Sequence, residues 1–239
     1  IARHGGTVRW FDISPCFIQH VVNAYDADAS TIVLDVVRYP WYLRLAANGR
    51  DFDDNPLGML WRYVIDLETG TVEEAPAADI GMELPRINEQ LTGRPYRYLY
   101  AVEQPNNTEM RGIVRYDWQD GTVQRFAVPP GDQNSEPVFV PRRNAVAEDD
   151  GWLMQVVYDA GRDGSDLVIT RADDVAAGAV ATIEITQGDK KMTLERSGDQ
   201  WRLKDRGGYP ANTEKVRGLV VALQKSELIE PKTAVADKL

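Results

Sequence analysis

The chain has 239 residues, of which 43% are hydrophobic, and it carries a formal net charge of −10 at pH 7. The acidic balance argues against a nucleic-acid partner, which requires a basic surface, and no apolar run reaches the ~18 residues of a membrane-spanning helix. The single cysteine, Cys16, excludes an internal disulfide framework, fits a reducing cytoplasm and is predicted to be a small buried apolar side chain.

The first notable motif is FIQHVVNAYD at residues 17–26, which places His20 inside an apolar run. A histidine in such a run is more often a hydrogen-bonded core residue than a metal ligand, and the residues alone leave both interpretations open. The other histidine, His4, lies beside two glycines and is predicted to be an exposed loop residue that binds no metal. Because the sequence begins with Ile1 and not with methionine, we expect it to be cut from a longer chain.

Residues 1–180 are predicted to be mainly β. Residues 62–76 and 115–129 share one plan, in which two alternating runs flank a Gly-Thr-Val turn, and the turn glycines Gly70 and Gly121 are 51 positions apart. A hairpin that returns at about this spacing is typical of a propeller blade. Further strands are predicted at residues 31–37, 96–102, 137–140, 152–158 and 166–170.

Lysine usage divides the chain. Residues 1–180 contain no lysine and have a net charge of −12, whereas residues 181–239 contain all seven lysines and have a net charge of +2. This asymmetry predicts a junction near residues 178–182 between segments of separate origin. The tail is predicted to be a small α+β unit with strands at residues 181–186, 191–196 and 200–204, then a helix capped by Asn212 or Thr213 and carrying Val216, Leu219, Val220 and Leu223.

An ordered set of motifs in residues 1–180 resembles the carotenoid cleavage oxygenases, which include the bacterial lignostilbene dioxygenases. The resemblance covers only the C-terminal part of that family. The matching pieces are VRWF (8–11), SPCFIQHVVNAYD (14–26), IVLDVVRY (32–39), ELPRIN (83–88), GRPYRYLY (93–100), PPG (129–131), SEPVFVPR (135–142), EDDGWL (148–153) and DLVI (166–169).

This resemblance implies a seven-bladed β-propeller with Fe(2+) held on its axis by four histidines. It implies oxidative cleavage of a conjugated carbon–carbon double bond by O2 to two carbonyl products, in a carotenoid, an apocarotenoid or a stilbene. His20 matches a ligand position in the His-x-x-Asn-Ala pattern. Glu136 matches a carboxylate that accepts the N–H of a ligand imidazole, and we expect it to orient His20. Glu83 lies in a matching motif, but its role is left open.

The tail contains the pieces ATIEI (181–185), MTLER (192–196), Trp201, GYPA (208–211) and LIEPKT (228–233). Through these pieces it resembles a bacterial domain of unknown function from envelope-associated and gliding-associated proteins. No histidine other than His4 and His20 is present, so three of the four iron ligands implied by the resemblance are missing from this sequence. We therefore expect a fragment or fusion that is inactive alone. The alternative is a non-enzymatic β-module fused to an envelope-associated domain.

Overall fold

A computed structural model describes residues 5–42, 55–180, 182–187, 190–197, 200–212, 214–216 and 218. The chain forms two compact units, residues 1–180 and 181–239, and each is described by itself. The separate origin of these two units stays a prediction. None of the helical segments in the described ranges is long and apolar enough to cross a membrane.

The first unit contains a seven-stranded antiparallel sheet whose strands follow one another in chain order. Its fourth strand has 15 residues, and its first part pairs with the third strand while its last part pairs with the fifth. One long strand therefore joins two four-stranded meanders, as expected for propeller blades. The strands are β1 (Phe17–Asp26), β2 (Thr31–Tyr39), β3 (Met59–Asp66), β4 (Val72–Arg86), β5 (Tyr98–Glu103), β6 (Ile113–Asp117) and β7 (Val123–Phe126).

The two predicted hairpins are confirmed as β3–β4 and β6–β7. In each turn the glycine has a positive φ, 76° at Gly70 and 71° at Gly121. Each glycine N–H donates to the carbonyl of the aspartate that ends the preceding strand, Asp66 or Asp117, at 2.9 Å. Local turn chemistry therefore forms the same hairpin twice, because glycine adopts this backbone conformation without steric cost.

The pattern did not predict β1 as a strand. Val21 is apolar but 60% exposed, so β1 lacks the clear alternation of apolar and polar residues that identifies a half-buried strand. Among the described residues β1 pairs only with β2. Its register shifts on both sides of the two pairs His20–Val37 and Val21–Val36. Such irregularities bend a strand and change the direction of a side chain.

A second sheet of the first unit is built around one central strand. That strand pairs on one side with the last strand and on the other with two short strands in succession, all antiparallel. The predicted strands at residues 137–140, 152–158 and 166–170 are confirmed. The strands are β8 (Gln133–Asn134), β9 (Val138–Pro141), β10 (Gly151–Asp159) and β11 (Gly164–Arg171).

The core of the first unit consists of two hydrophobic clusters, and β5 contributes to both. Leu99 and Ala101 pack in one cluster with β3, β4 and β6, whereas Tyr100 and Val102 pack in the other. The second cluster includes Leu153 of β10 and so joins the two sheets. Because successive side chains of a strand point to opposite faces, a strand buried on both faces can serve two cores.

The second unit is a four-stranded antiparallel sheet in chain order. The three predicted strands are confirmed, and the side chain of Asn212 accepts a hydrogen bond from the backbone N–H of Lys215 at 3.0 Å, as predicted for a helix cap. The predicted helix positions Leu219, Val220 and Leu223 lie outside the described residues, as does Thr213. The strands are β12 (Thr182–Gln187), β13 (Lys190–Ser197), β14 (Gln200–Leu203) and β15 (Tyr209–Pro210).

Candidate functional site

His20 and Glu83 form the centre of the candidate site. His20 Nδ1 lies 2.6 Å from Glu83 Oε2, although 63 residues separate them in sequence. The histidine side chain is 34% exposed and the glutamate side chain only 6%. A buried carboxylate therefore contacts one ring nitrogen of a half-buried imidazole.

Three donors surround the Glu83 carboxylate. In addition to His20, the Leu84 N–H donates to Oε2 at 2.9 Å, and the Tyr39 hydroxyl donates to Oε1 at 2.5 Å. A buried carboxylate is costly without such partners, and three of them hold it as an acceptor. Burial and the hydrogen bond to Glu83 raise the pKa of Tyr39 well above its usual range, so its hydroxyl stays protonated and donates.

The contact with Glu83 determines which nitrogen of His20 is available. A neutral imidazole has one N–H, and donation from Nδ1 to the carboxylate leaves the lone pair on Nε2. An imidazole oriented in this way by a carboxylate is the usual form of a metal-binding histidine. The structure therefore gives His20 the geometry of a metal ligand.

Leu84 has a strained backbone beside this carboxylate. Its φ is +53°, and it directly precedes Pro85 in a region where the pairing of β4 with β5 is irregular. Positive φ is rare for a leucine, and such strain persists where the surroundings enforce it. The conformation brings the Leu84 N–H to the carboxylate of Glu83.

An open cavity of about 290 Å³ borders His20 and Glu83. Its other walls include the apolar or aromatic side chains of Trp41, Leu84 and Met110. Mixed walls of this kind, mostly apolar with a few polar groups, are typical of small-molecule sites.

The prediction that Glu136 orients His20 is wrong. Glu136 Oε1 lies 2.9 Å from Nε of Arg86, and its side chain is 40% exposed. The reason is topological, because β4 packs beside β1 and presents Glu83 to the imidazole, whereas Glu136 precedes β9 in the other sheet. A role for Glu136 in orienting a different ligand stays a prediction.

The described residues supply one candidate metal ligand, His20, and not a complete metal site. Across residues 5–42, 55–180 and the described parts of the tail, no group of three or more His, Cys, Asp or Glu could hold a metal ion. His4 lies outside the described residues. Cys16 is half-buried, not fully buried as predicted, with Sγ 3.8 Å from the Tyr63 hydroxyl.

Comparisons with known proteins identify relatives of the first unit. Residues 1–189 match the family described as retinal pigment epithelial membrane protein, RPE65. The match extends beyond the first unit and includes β12. The chain is 34% identical over 192 residues to the apocarotenoid-15,15'-oxygenase of Synechocystis sp., covering 77% of this chain and 39% of that protein. It is 36% identical over 197 residues to a carotenoid cleavage oxygenase of Mycobacterium tuberculosis, covering 77% and 38%.

A solved structure supports the same relationship. The crystal structure of cobalt-substituted Synechocystis ACO superposes with a TM-score of 0.71 at 34% identity, covering 75% of this chain and 39% of that one. The chain thus spans about two fifths of the length of the curated relatives it matches. With a family match over most of its length, the chain belongs to the RPE65/carotenoid cleavage oxygenase family.

Proposed function

We propose that this chain is part of a non-haem Fe(2+) dioxygenase in which His20 is one of the iron ligands. The enzyme cleaves a conjugated carbon–carbon double bond with O2 and gives two carbonyl products. The observation that carries the proposal is the contact of 2.6 Å between His20 Nδ1 and Glu83 Oε2 at the wall of an open cavity.

Each residue of the site has a defined task in this proposal. Glu83 accepts a hydrogen bond from the Nδ1–H of His20, which leaves the lone pair of Nε2 for the metal. Iron, when bound, supplies the site at which O2 is activated. The remaining ligands come from outside the described residues, and the chain alone is inactive.

The cavity wall indicates the substrate class. Trp41, Leu84 and Met110 provide apolar surface beside His20, which suits contact with a conjugated hydrocarbon chain. The names of the relatives favour a carotenoid or apocarotenoid substrate. A stilbene, which the sequence resemblance also implies, is the competing substrate.

A segment exchange tests the proposal. Residues 5–180 of this chain would replace the matching segment of the Synechocystis apocarotenoid-15,15'-oxygenase. We expect the hybrid to contain about one iron per chain and to cleave an apocarotenal, and we expect His20→Ala to abolish both. Loss of the orienting carboxylate in Glu83→Gln should weaken iron binding by roughly 10–100-fold.

The controls separate the alternatives. His4→Ala in the hybrid is expected to change neither iron content nor turnover. The 239-residue chain alone is expected to cleave neither an apocarotenal nor a stilbene, and turnover by it would contradict the inactive-alone part of the proposal. A folded hybrid that binds no iron would contradict the role of His20 and would favour a non-enzymatic β-module.

A further inference from the structure

We propose that Tyr39 is a positioning residue, which fixes the Glu83 carboxylate in the orientation from which it binds His20. The relevance of this relay, from Tyr39 through Glu83 to His20, to metal binding rests on the proposed function. The relay itself is a property of the metal-free chain, and it involves β1, β2 and β4.

The two oxygens of Glu83 have different partners. Oε2 accepts hydrogen bonds from His20 and from the Leu84 N–H, whereas Oε1 accepts a hydrogen bond from the Tyr39 hydroxyl at 2.5 Å. A carboxylate bound at only one oxygen can rotate about the bond that joins it to the side chain. The hydroxyl at Oε1 prevents this rotation and thereby fixes Oε2 toward the imidazole.

The direction of the Tyr39 hydrogen bond follows from its partners. A tyrosine hydroxyl has a single proton and a carboxylate accepts, so that proton is directed at Glu83 Oε1. Gln104 lines the same cavity as Tyr39, and its Oε1 accepts the Gly58 N–H at 2.8 Å. Gln104 therefore holds the backbone of Gly58, which lies against the Tyr39 hydroxyl.

Packing around Gly58 keeps the Tyr39 hydroxyl in place. A Cβ at this position would lie 2.7 Å from the Tyr39 oxygen and 2.7 Å from the carbonyl oxygen of Met82. These separations are far below van der Waals contact, so only glycine allows so close an approach. The hydroxyl therefore has an acceptor on one side and backbone close by on another.

Proton exchange at His20 tests the relay in the metal-free chain. The sequence has only two histidines, so a His4→Gln variant assigns the imidazole signals by NMR. We expect the Nδ1 proton of His20 to exchange slowly with water in the parent chain. Tyr39→Phe should accelerate this exchange about tenfold, as expected for the loss of one hydrogen bond that holds the acceptor.

A matched control is available in the same unit. The Tyr158 hydroxyl donates to Asp163 Oδ1 at 2.9 Å on the exposed surface, so Tyr158→Phe removes the same kind of hydrogen bond away from His20. We expect this variant to leave the His20 exchange rate unchanged. Backbone amides of β5 in each variant provide an internal reference for global opening, because a merely structural role of Tyr39 would accelerate them equally.

The outcomes are decisive in both directions. An unchanged His20 exchange rate in Tyr39→Phe, or acceleration equal to that of the β5 amides, would overturn the relay, as would a parent chain without a protected Nδ1 proton. If Tyr39→Phe does not fold, Gly58→Ala, whose methyl group would displace the Tyr39 hydroxyl, must accelerate the exchange at least about threefold, and no change would overturn the relay. Because no metal is present, a hybrid enzyme that binds no iron while the relay persists would contradict only the proposed function.

Discussion

Two glutamates with similar sequence surroundings have different environments in this chain. Glu83 and Glu136 both lie within two residues of a following proline and both belong to motifs of the family resemblance. Glu83 is buried among three hydrogen-bond donors, whereas Glu136 is exposed beside a single arginine, Arg86. The difference teaches that a motif identifies a carboxylate of interest, and that the strands packed against it decide which partner it has.

The strength of the two contacts also differs. Arg86 Nε lies at ion-pair distance from Glu136, yet the N–H is not aligned with any hydrogen-bond acceptor. The pair is thus held by charge and not by a directional hydrogen bond, and with both side chains more than a third exposed an ion pair contributes little. The Glu83 contacts are short, buried and directional, and removing their common acceptor would leave several donors without partners.

The largest expected effect is the loss of stability in Glu83→Ala. This substitution leaves the N–H of His20, the hydroxyl of Tyr39 and the N–H of Leu84 without an acceptor, and we expect it to lower the free energy of unfolding by about 3 kcal/mol. Glu136→Ala should lower it by less than about 1 kcal/mol. Urea denaturation followed by tryptophan fluorescence measures both, and equal losses would remove the distinction between the two carboxylates.

The next effect concerns the backbone that approaches Tyr39. In Gly58→Ala the new methyl group would meet the Tyr39 hydroxyl, the Met82 carbonyl and a Val37 methyl group at 2.7–2.8 Å. We expect a loss of about 2 kcal/mol, as is typical of overpacking. Gly164→Ala is the matched control, because its nearest atom would be 3.9 Å away, and it should be neutral. A neutral Gly58→Ala would show that the relay has room to move.

A smaller effect is expected from pH. Burial and the bond to Glu83 raise the pKa of Tyr39, so the unfolded chain loses this proton near pH 10 while the folded chain keeps it. The stabilisation is complete below about pH 10 and decreases as the pH rises above it. The free energy of unfolding, measured by urea denaturation between about pH 9 and pH 12, should therefore decrease less steeply with pH in Tyr39→Phe than in the parent chain. The difference in slope corresponds to at most one proton. An identical slope would argue against the buried Tyr39–Glu83 bond.

Local chemistry explains which parts of the fold were predictable. The hairpins at Gly70 and Gly121 depend on residues within a few positions of each glycine, so the sequence pattern identifies them. β1 was missed because its apolar residues occupy both faces. His20 matches a ligand position of the family motif, and this role stays a prediction, whereas the structure places the Glu83 carboxylate against its Nδ1.

The partner of His20 was not predictable in the same way. Glu83 and His20 lie on β4 and β1, which are not neighbours in the sheet, so no pairing register derived from the sequence brings them together. The positive φ at Leu84 is also unexpected, because leucine before proline favours extended backbone. Tyr39 ends the motif IVLDVVRY, but nothing in the sequence pattern assigns it a partner, and only the structure places its hydroxyl on Glu83.

The smallest expected effect is that of Arg86→Gln, and it tests whether Glu136 is bound at all. Arg86 is half-exposed and shared between Glu89 and Glu136, so its removal should lower the free energy of unfolding by less than about 1 kcal/mol. Salt of about 1 M should reduce the difference from the parent, since its Debye length of ~3 Å is comparable to the 2.9 Å separations of both pairs. A loss above about 2 kcal/mol that persists in salt would mean that Arg86 holds Glu136 by a directional bond. Glu136 would then be a structural carboxylate comparable to Glu83. The two would differ in their partner residues and not in how strongly their contacts stabilise the fold.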